Sequence, residues 1–172
     1  LDVCFGSCRV ALPHEEPYTK SKDADEDGHE LDALWVLARQ MVRDDRDNWP
    51  ELLFLLGDQV YVDEGSPETR ERIRAKRDTS QPPGEEVIDF EEYTWLYHES
   101  WQDPLIRWLF STVPLCMLLD DHDLRDDWNT SLTWRRWVTA QPWWHDRVVG
   151  AYASYWVYQH LGNLSPEQLD QD

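Results

Sequence analysis

Leu52-Leu53-Phe54-Leu55-Leu56-Gly57-Asp58 is the stretch on which the fold turns. Five apolar residues run without polar alternation over the length of a strand, then stop at Gly-Asp. An unalternating run of this length predicts a central parallel strand buried on both faces. Upstream, Pro50 ends a helical stretch whose apolar face carries Leu31, Leu34, Trp35, Ala38 and Met41, with Asp27 and Glu30 spaced as a capping box. Before it lie a polar loop, Pro13 to Gly28, and a short β-leaning segment, Leu1 to Cys8, ending in Gly6-Ser7-Cys8. Downstream, Ser66-Pro67-Glu68 marks a helix start, followed by charged residues to Asp78 and an internal loop, Thr79 to Glu86, containing Pro82-Pro83-Gly84. Helical stretches from Tyr93 to Trp101 and Pro104 to Phe110 precede a third apolar run, Val113 to Leu119, which ends in Asp120-Asp121-His122-Asp123. A last helix is expected over His145 to Leu161, with Val148, Val149, Tyr152, Trp156 and Gln159 on its inner side and Gly162 closing it. Strands alternating with helices predict an α/β layered sheet with flanking helices.

The chain has 172 residues and 41% hydrophobic content, enough for one core. Acids outnumber Lys and Arg by 35 to 16, giving a formal charge of −19. Such a surface repels phosphodiester backbones, so generic nucleic-acid binding is not expected and cations are the natural partners. No run approaches the ~20 apolar residues of a membrane span, so no membrane association is expected. The three cysteines do not make a disulfide framework. Cys4 and Cys8 on one strand would stand roughly 13 Å apart, beyond bridging distance, and a reduced, cytoplasmic protein is expected. Leu1 opens the chain on residues that read as core strand, without a signal peptide, as though the start were a cut near a domain edge. A secretion signal further upstream would not be visible here.

All three apolar runs finish in side chains that bind metals: Cys8, then Asp58 and Tyr61, then Asp121 and His122. In open α/β sheets, loops converge beyond the carboxyl ends of the strands, which is where sites form. A carboxylate can bridge two cations, while thiolate and phenolate suit a high-valent or borderline-soft metal. Two metals ~3.5–4 Å apart clamp a phosphoryl group and lower the pKa of bound water. Singly, each residue has a plainer reading: a small buried thiol, a turn aspartate, a half-buried tyrosine, a surface histidine. Together, acids at the mouth of a buried strand need a cation or partner to compensate them.

Ser7-Cys8-Arg9, Gly57-Asp58-Gln59-Val60-Tyr61 and Asp120-Asp121-His122-Asp123 resemble, in order, the S-C-[QR], G-D-x-x-Y and D-D-H-[DE] motifs of the D-type alkaline phosphatases, the PhoD-like phosphatases, within the calcineurin-like metallophosphoesterases. The resemblance covers the chain from residue 1 to at least 130. It implies about half of a metallophosphoesterase α-β-β-α sandwich, with ferric iron and calcium (Fe3+ and Ca2+) as the metals, other divalent ions being possible. By the same resemblance, Asp58 bridges both metals, Cys8 and Tyr61 bind iron, Asp121 binds the second metal and His122 steadies or protonates the leaving oxygen. Arg9 is a weaker candidate for gripping phosphate.

Two departures stand out. Many members place asparagines after D-D-H-E, where this chain has Arg125-Asp126-Asp127, with Asn129 further on. The family's later G-D-x-H motif has no counterpart, since Gly57-Asp58 is the single Gly-Asp here. Residues 1–172 are therefore expected to form a partial catalytic domain, with loop 79–86 internal and the C-terminal half of the domain absent. The implied activity is hydrolysis of small phosphomonoesters or phosphodiesters by attack of metal-bound hydroxide, the fragment being inactive or needing its missing portion. Surface left open by the missing half would favour association. The alternative is a non-catalytic acidic module binding calcium or a protein through a Trp-rich face. Asp23-Ala24-Asp25-Glu26-Asp27-Gly28 begins like an EF-hand loop, but its twelfth position is Leu34, so it reads as a solvated lead-in. Of 11 tryptophans, nine fall between Trp95 and Trp156. Trp134, Trp137, Trp143 and Trp144 read as packing residues, with stacking on sugars or a substrate's organic group as their other use.

Overall fold

A computed structural model describes residues 1–170. Three short strands, β1 (Val3–Gly6), β2 (Leu52–Leu55) and β3 (Leu115–Met117), form one parallel sheet with β2 in the centre. The register sets Phe5 beside Phe54 and Phe54 beside Cys116, so these three share a face. The helices are α1 (Ala33–Arg43), α2 (Pro67–Lys76), α3 (Phe90–Trp101), α4 (Pro104–Thr112), α5 (Leu132–Val138) and α6 (Trp144–Tyr155).

The core is in two parts. Under the sheet, Leu53, Leu55 and Met117 pack on Ala38 and Met41 of α1, Leu109 of α4 and the adjoining Val113. Beyond the strand ends, Val60, Val62 and Leu124 pack with Ile73, Val87, Tyr93, Leu96, Tyr97 and Ala151, around α3 and α6. Close approach of these two helices needs a small residue: a Cβ on Gly150 would lie 3.0–3.1 Å from the backbone of Asp89 and Phe90. The 57–62 and 118–124 segments run between the two cores, which positions everything they carry.

Several local expectations are corrected. β2 is not buried on both faces. Leu53 and Leu55 are buried, whereas Leu52 and Phe54 are half-buried, because α1 and α4 cover only one face. On the other face Phe5 is 75% and Leu118 50% exposed. The capping box at Asp27 and Glu30 does not form. Asp32 caps α1 instead, its carboxylate accepting the N–H groups of Leu34 and Trp35, and Leu31 lies outside the helix, exposed. The third apolar run yields only three strand residues, since Val113 ends α4 and Pro114 follows it.

The last helix keeps only part of the expected amphipathic face: Gln159 is buried and Val148 is half-buried against the core, but the other three residues are not. Val149, Tyr152 and Trp156 are exposed, and Arg147, Gly150, Ala151 and Ser154 are inside. The polar residues are buried because they are bonded: Arg147 donates to Val87 O (2.8 Å) and Glu86 (2.8 Å), and Ser154 to Ala151 O. A π-helical turn, Trp156–His160, then places Gln159 inward, where its amide donates to the Tyr97 hydroxyl (2.8 Å) and the Asp123 carboxylate (3.2 Å).

Glu92 is fully buried and accepts from Arg77 Nε and from the Ile88 N–H, both at 2.9 Å. Arg77 also donates to Gly84 O and Glu86 O, pinning loop 79–86. Removing Arg77 strands a buried carboxylate, so Arg77→Ala is expected to lower stability by about 3–5 kcal/mol in chemical denaturation. Arg72→Ala, which breaks an exposed pair with Glu68, is expected to change it by less than about 1 kcal/mol. Equal losses would disprove the contrast.

Candidate metal centre

β2 ends in a turn that few side chains tolerate. Gly57 has φ +126°, and a Cβ there would lie 2.3 Å from the Cβ of Asp120. Asp58 follows with φ +53°, a left-handed conformation rare for non-glycine residues. Cys8, two residues beyond β1, has φ +57°, and Asp127, in the loop after β3, has φ +52°. Three of the four non-glycine residues with positive φ therefore lie on the loops leaving the three strands.

These loops interlock. The His122 N–H donates to the Asp58 carboxylate (3.2 Å), and the Val62 N–H donates to the His122 carbonyl (3.1 Å). Asp121–Asp123 forms one 3₁₀ turn, capped reciprocally by Asp120 and Asp123. Carboxylate oxygens of Asp58, Asp120 and Asp121 lie within 4.8 Å of one another, and those of Asp121, Asp126 and Asp127 form a second such group. Asp121 belongs to both. Its second oxygen accepts the Asp127 N–H (2.9 Å), which folds the 125–127 segment back over the turn.

The expected set divides as follows. Asp58 is buried, 2% exposed, and Asp121 half-buried within the carboxylate groups. Cys8 is exposed beside Asp58, and the rings of Tyr61 and His122 stand 4.4 Å apart. Arg9 is the exception. Its Nε donates to Asp32 (2.8 Å) and its Nη1 to the carbonyl and hydroxyl of Ser100 (2.7 and 2.9 Å). Those bonds tie the loop after β1 to the cap of α1 and to α3, so its guanidinium is engaged with the framework.

Sequence reasoning passed over Asp63, Asp120, Asp123, Asp126 and Asp127 as site members. Asp63 accepts from His122 Nδ1 at 3.2 Å, and its other oxygen accepts the Asp126 N–H. The double Asp of the D-D-H motif was a signal for Asp120. The Asp126-Asp127 pair stands where many members of the resembled family place asparagines, and its carboxylate oxygens lie within 4.8 Å of that of Asp121. The Asp23–Gly28 segment shows no such gathering: among the described residues its carboxylates join neither group.

Electrostatics favour protons on the apo cluster. Burial raises the Asp58 carboxyl above its usual range, aided by Asp120 and Asp121, and against the pull of Cys8 and His122. The Ser7 hydroxyl favours the Cys8 thiolate, but Asp58, burial and Asp120 outweigh it and hold the thiol up. Burial also raises the Tyr61 phenol, with Asp58 and Cys8 adding to the effect. For His122, burial lowers the pKa, yet Asp63, Asp58 and Asp121 together hold it above the ordinary value. A carboxylate, thiol and phenol that all resist ionisation beside one another would ionise more readily with a positive charge among them.

The small parallel sheet with its flanking helices has a counterpart among solved structures. A solved structure titled "Structure of PhoD" matches 91% of this chain at 17% sequence identity and a TM-score of 0.50, and this chain spans 24% of that one. The chain belongs to the PhoD-like phosphatase family, whose model matches residues 32–169 and so takes in Asp58, Tyr61, Asp121 and His122 but not Cys8. No curated protein matches it. Membership points to metal dependence, and the two carboxylate groups are able to hold a cation.

Asp123 provides a check without metal. It is 1% exposed, and burial pushes its carboxyl up to about 7 despite bonds from the Asp120 N–H and Gln159. The folded chain keeps a proton that the unfolded chain, with a carboxyl near pKa ~3.9, has released. Stability is therefore expected to fall as pH rises from about 4 to about 7, then to level. Thermal melts in chelator across that window should show the slope, and Asp123→Asn should flatten it. An unchanged slope in the variant would refute the buried proton.

Proposed function

We propose that this chain supplies the first part of the catalytic site of a metal-dependent phosphatase acting on phosphomonoesters or phosphodiesters. The observation that carries the reading is the meeting of Asp58, Asp120 and Asp121 across two strand-end loops. Support also comes from the left-handed backbone at Cys8 and Asp58 and from family membership. Residues 1–172 would be a partial catalytic domain, completed by the remainder of a longer protein.

Cys8, Asp58 and Tyr61 would hold ferric iron, and Asp58 with Asp121 would hold calcium or another divalent ion, with Asp126 and Asp127 as further oxygen donors. The donor set fits this division: a thiol and a phenol suit the high-valent metal, and carboxylates alone suit the hard divalent one. When bound, the pair supplies Lewis-acid stabilisation of phosphoryl charge and activates the attacking water.

The chain's own groups do the rest. Asp63 engages His122 Nδ1 and leaves Nε2 as the ring atom that holds a proton for the departing oxygen. Asp126, 3.7 Å from Nε2, helps keep that proton in place. The Asp58 carboxylate fixes the His122 backbone, so ligand and acid are set by one contact.

The test is hydrolysis of p-nitrophenyl phosphate and its bis ester by the intact protein, with and without chelator. Asp58→Ala and chelation are each expected to lower activity by more than about 100-fold. Activity that survives Asp58→Ala would remove the proposal. His122→Asn is expected to slow alkyl phosphates by about 10²–10⁴-fold and p-nitrophenyl phosphate much less, because nitrophenolate leaves without a proton. An equal loss on both would exclude His122 as the acid.

A further inference from the structure

The tryptophans after the metal-site turn are only partly accounted for by packing. Trp143 and Trp144 are structural: Trp143 is nine-tenths buried and covers the Arg147 guanidinium at 4.5 Å, and Trp144 meets Trp134 edge-on at 5.6 Å. Trp137 is different. It is 46% exposed, touching the cluster through one edge-on contact with Trp143 at 6.4 Å. Trp137 lines a cleft of about 360 Å³ between α5 and loop 79–86, together with Trp134, Trp143, Pro83, Gln81 and Arg125. The volume lies in the range of small-molecule sites.

Trp143 lines this cleft with part of its ring, while its indole N–H is enclosed in the protein and has no acceptor among the described residues. A buried indole N–H normally finds a partner. The loop opposite is held rigidly by Arg77 through the Gly84 and Glu86 carbonyls, so the cleft is preformed. Its rim alternates donors and acceptors: the Arg125 guanidinium, 5.4 Å over the Trp134 ring and 3.7 Å from the Glu86 carboxylate, and the Gln81 amide.

We propose that this cleft binds a sugar ring, and that it seats the alcohol portion of a sugar phosphate. Indole faces accept the C–H face of a pyranose, while hydroxyls, each both donor and acceptor, suit a rim of guanidinium, amide and carboxylate. A bare alkyl group would leave that rim unpaired, and a polyanion would meet a chain of charge −19. The cleft is joined to the candidate metal centre by one turn of chain: the Arg125 N–H donates to the Asp121 carbonyl, and the Asp127 N–H to the Asp121 carboxylate. The sugar site stands on the cleft itself, whereas its use as a substrate subsite rests on the proposed phosphatase function.

The test separates the two. The intact protein, stripped of metal, is titrated with methyl glucoside, methyl galactoside and methyl mannoside, with adenosine and glycerol as controls, by saturation-transfer NMR and tryptophan fluorescence. At least one glycoside is expected to bind, with transfer strongest to ring C–H protons. Trp137→Ala, a change at a half-exposed position, should weaken it at least tenfold, and Asp58→Ala should not alter it. No glycoside binding, tighter binding of adenosine than of every glycoside, or binding indifferent to Trp137→Ala would overturn the sugar site. In the metal-loaded protein, Trp137→Ala should raise KM for the matching sugar phosphate at least fivefold and leave KM for glycerol phosphate unchanged. Glycoside binding with no KM change would overturn the subsite. Glycoside binding by a protein inactive on all phosphates would instead count against the phosphatase function.

Discussion

The contact between the end of β2 and the loop after β3 is the constraint on which the site depends. Asp120 packs where a Gly57 side chain would be, and Asp58 reaches across to the His122 N–H. Neither half of this clasp is favourable alone. A left-handed aspartate is strained by about 1–3 kcal/mol, and gathering carboxylates adds repulsion. Both are sustained by the apolar cores on either side. Val60 and Val62 anchor the first loop and Leu124 the second in one core, while Leu55 and Met117 fix the strands in the other. The clasp thus turns burial energy into the proximity of like charges.

A second tier holds the clasp from behind. Asp123 takes the Asp120 N–H and is met by Gln159 from the π-helical turn, which also reaches Tyr97 on α3. Tyr93, one turn earlier, donates to the Asp123 carbonyl at 2.9 Å. The helices distant in sequence therefore control the shape of the D-D-H-D turn through buried polar bonds as well as through the apolar packing of Leu124. Such a network specifies geometry more sharply than packing does, because each bond has a direction.

Much of this was legible beforehand, and for identifiable reasons. Strand positions followed from unalternating apolar runs, and the convergence of Asp58 and Asp121 followed from strand ends meeting at one edge of a parallel sheet. Helix starts at Ser66 and Pro104 followed from proline at the first turn. The failures share a cause, which is that periodicity registers side-chain polarity but not partners. Arg147 is polar and buried because distant groups bond it, Ser154 because its hydroxyl turns back to the Ala151 carbonyl, and Val149 and Tyr152 are apolar and exposed. Nor does the sequence show that Asp32 and Ser100, far along the chain, engage the Arg9 guanidinium. Asp32 displaced the Asp27 cap because two helix N–H groups, not spacing alone, select the capping carboxylate.

Strain and charge at the centre then have one explanation in common. Positive φ at Cys8, Asp58 and Asp127 shapes the three strand-end loops, and burial with neighbouring acids raises the proton affinity of Cys8, Asp58 and Tyr61. A purely structural acid cluster would relax on both counts: the backbone would take ordinary conformations and the carboxylates would turn to water. Persistence of both, at the carboxyl edge of a sheet and braced by a buried network, is what a preorganised cation site requires.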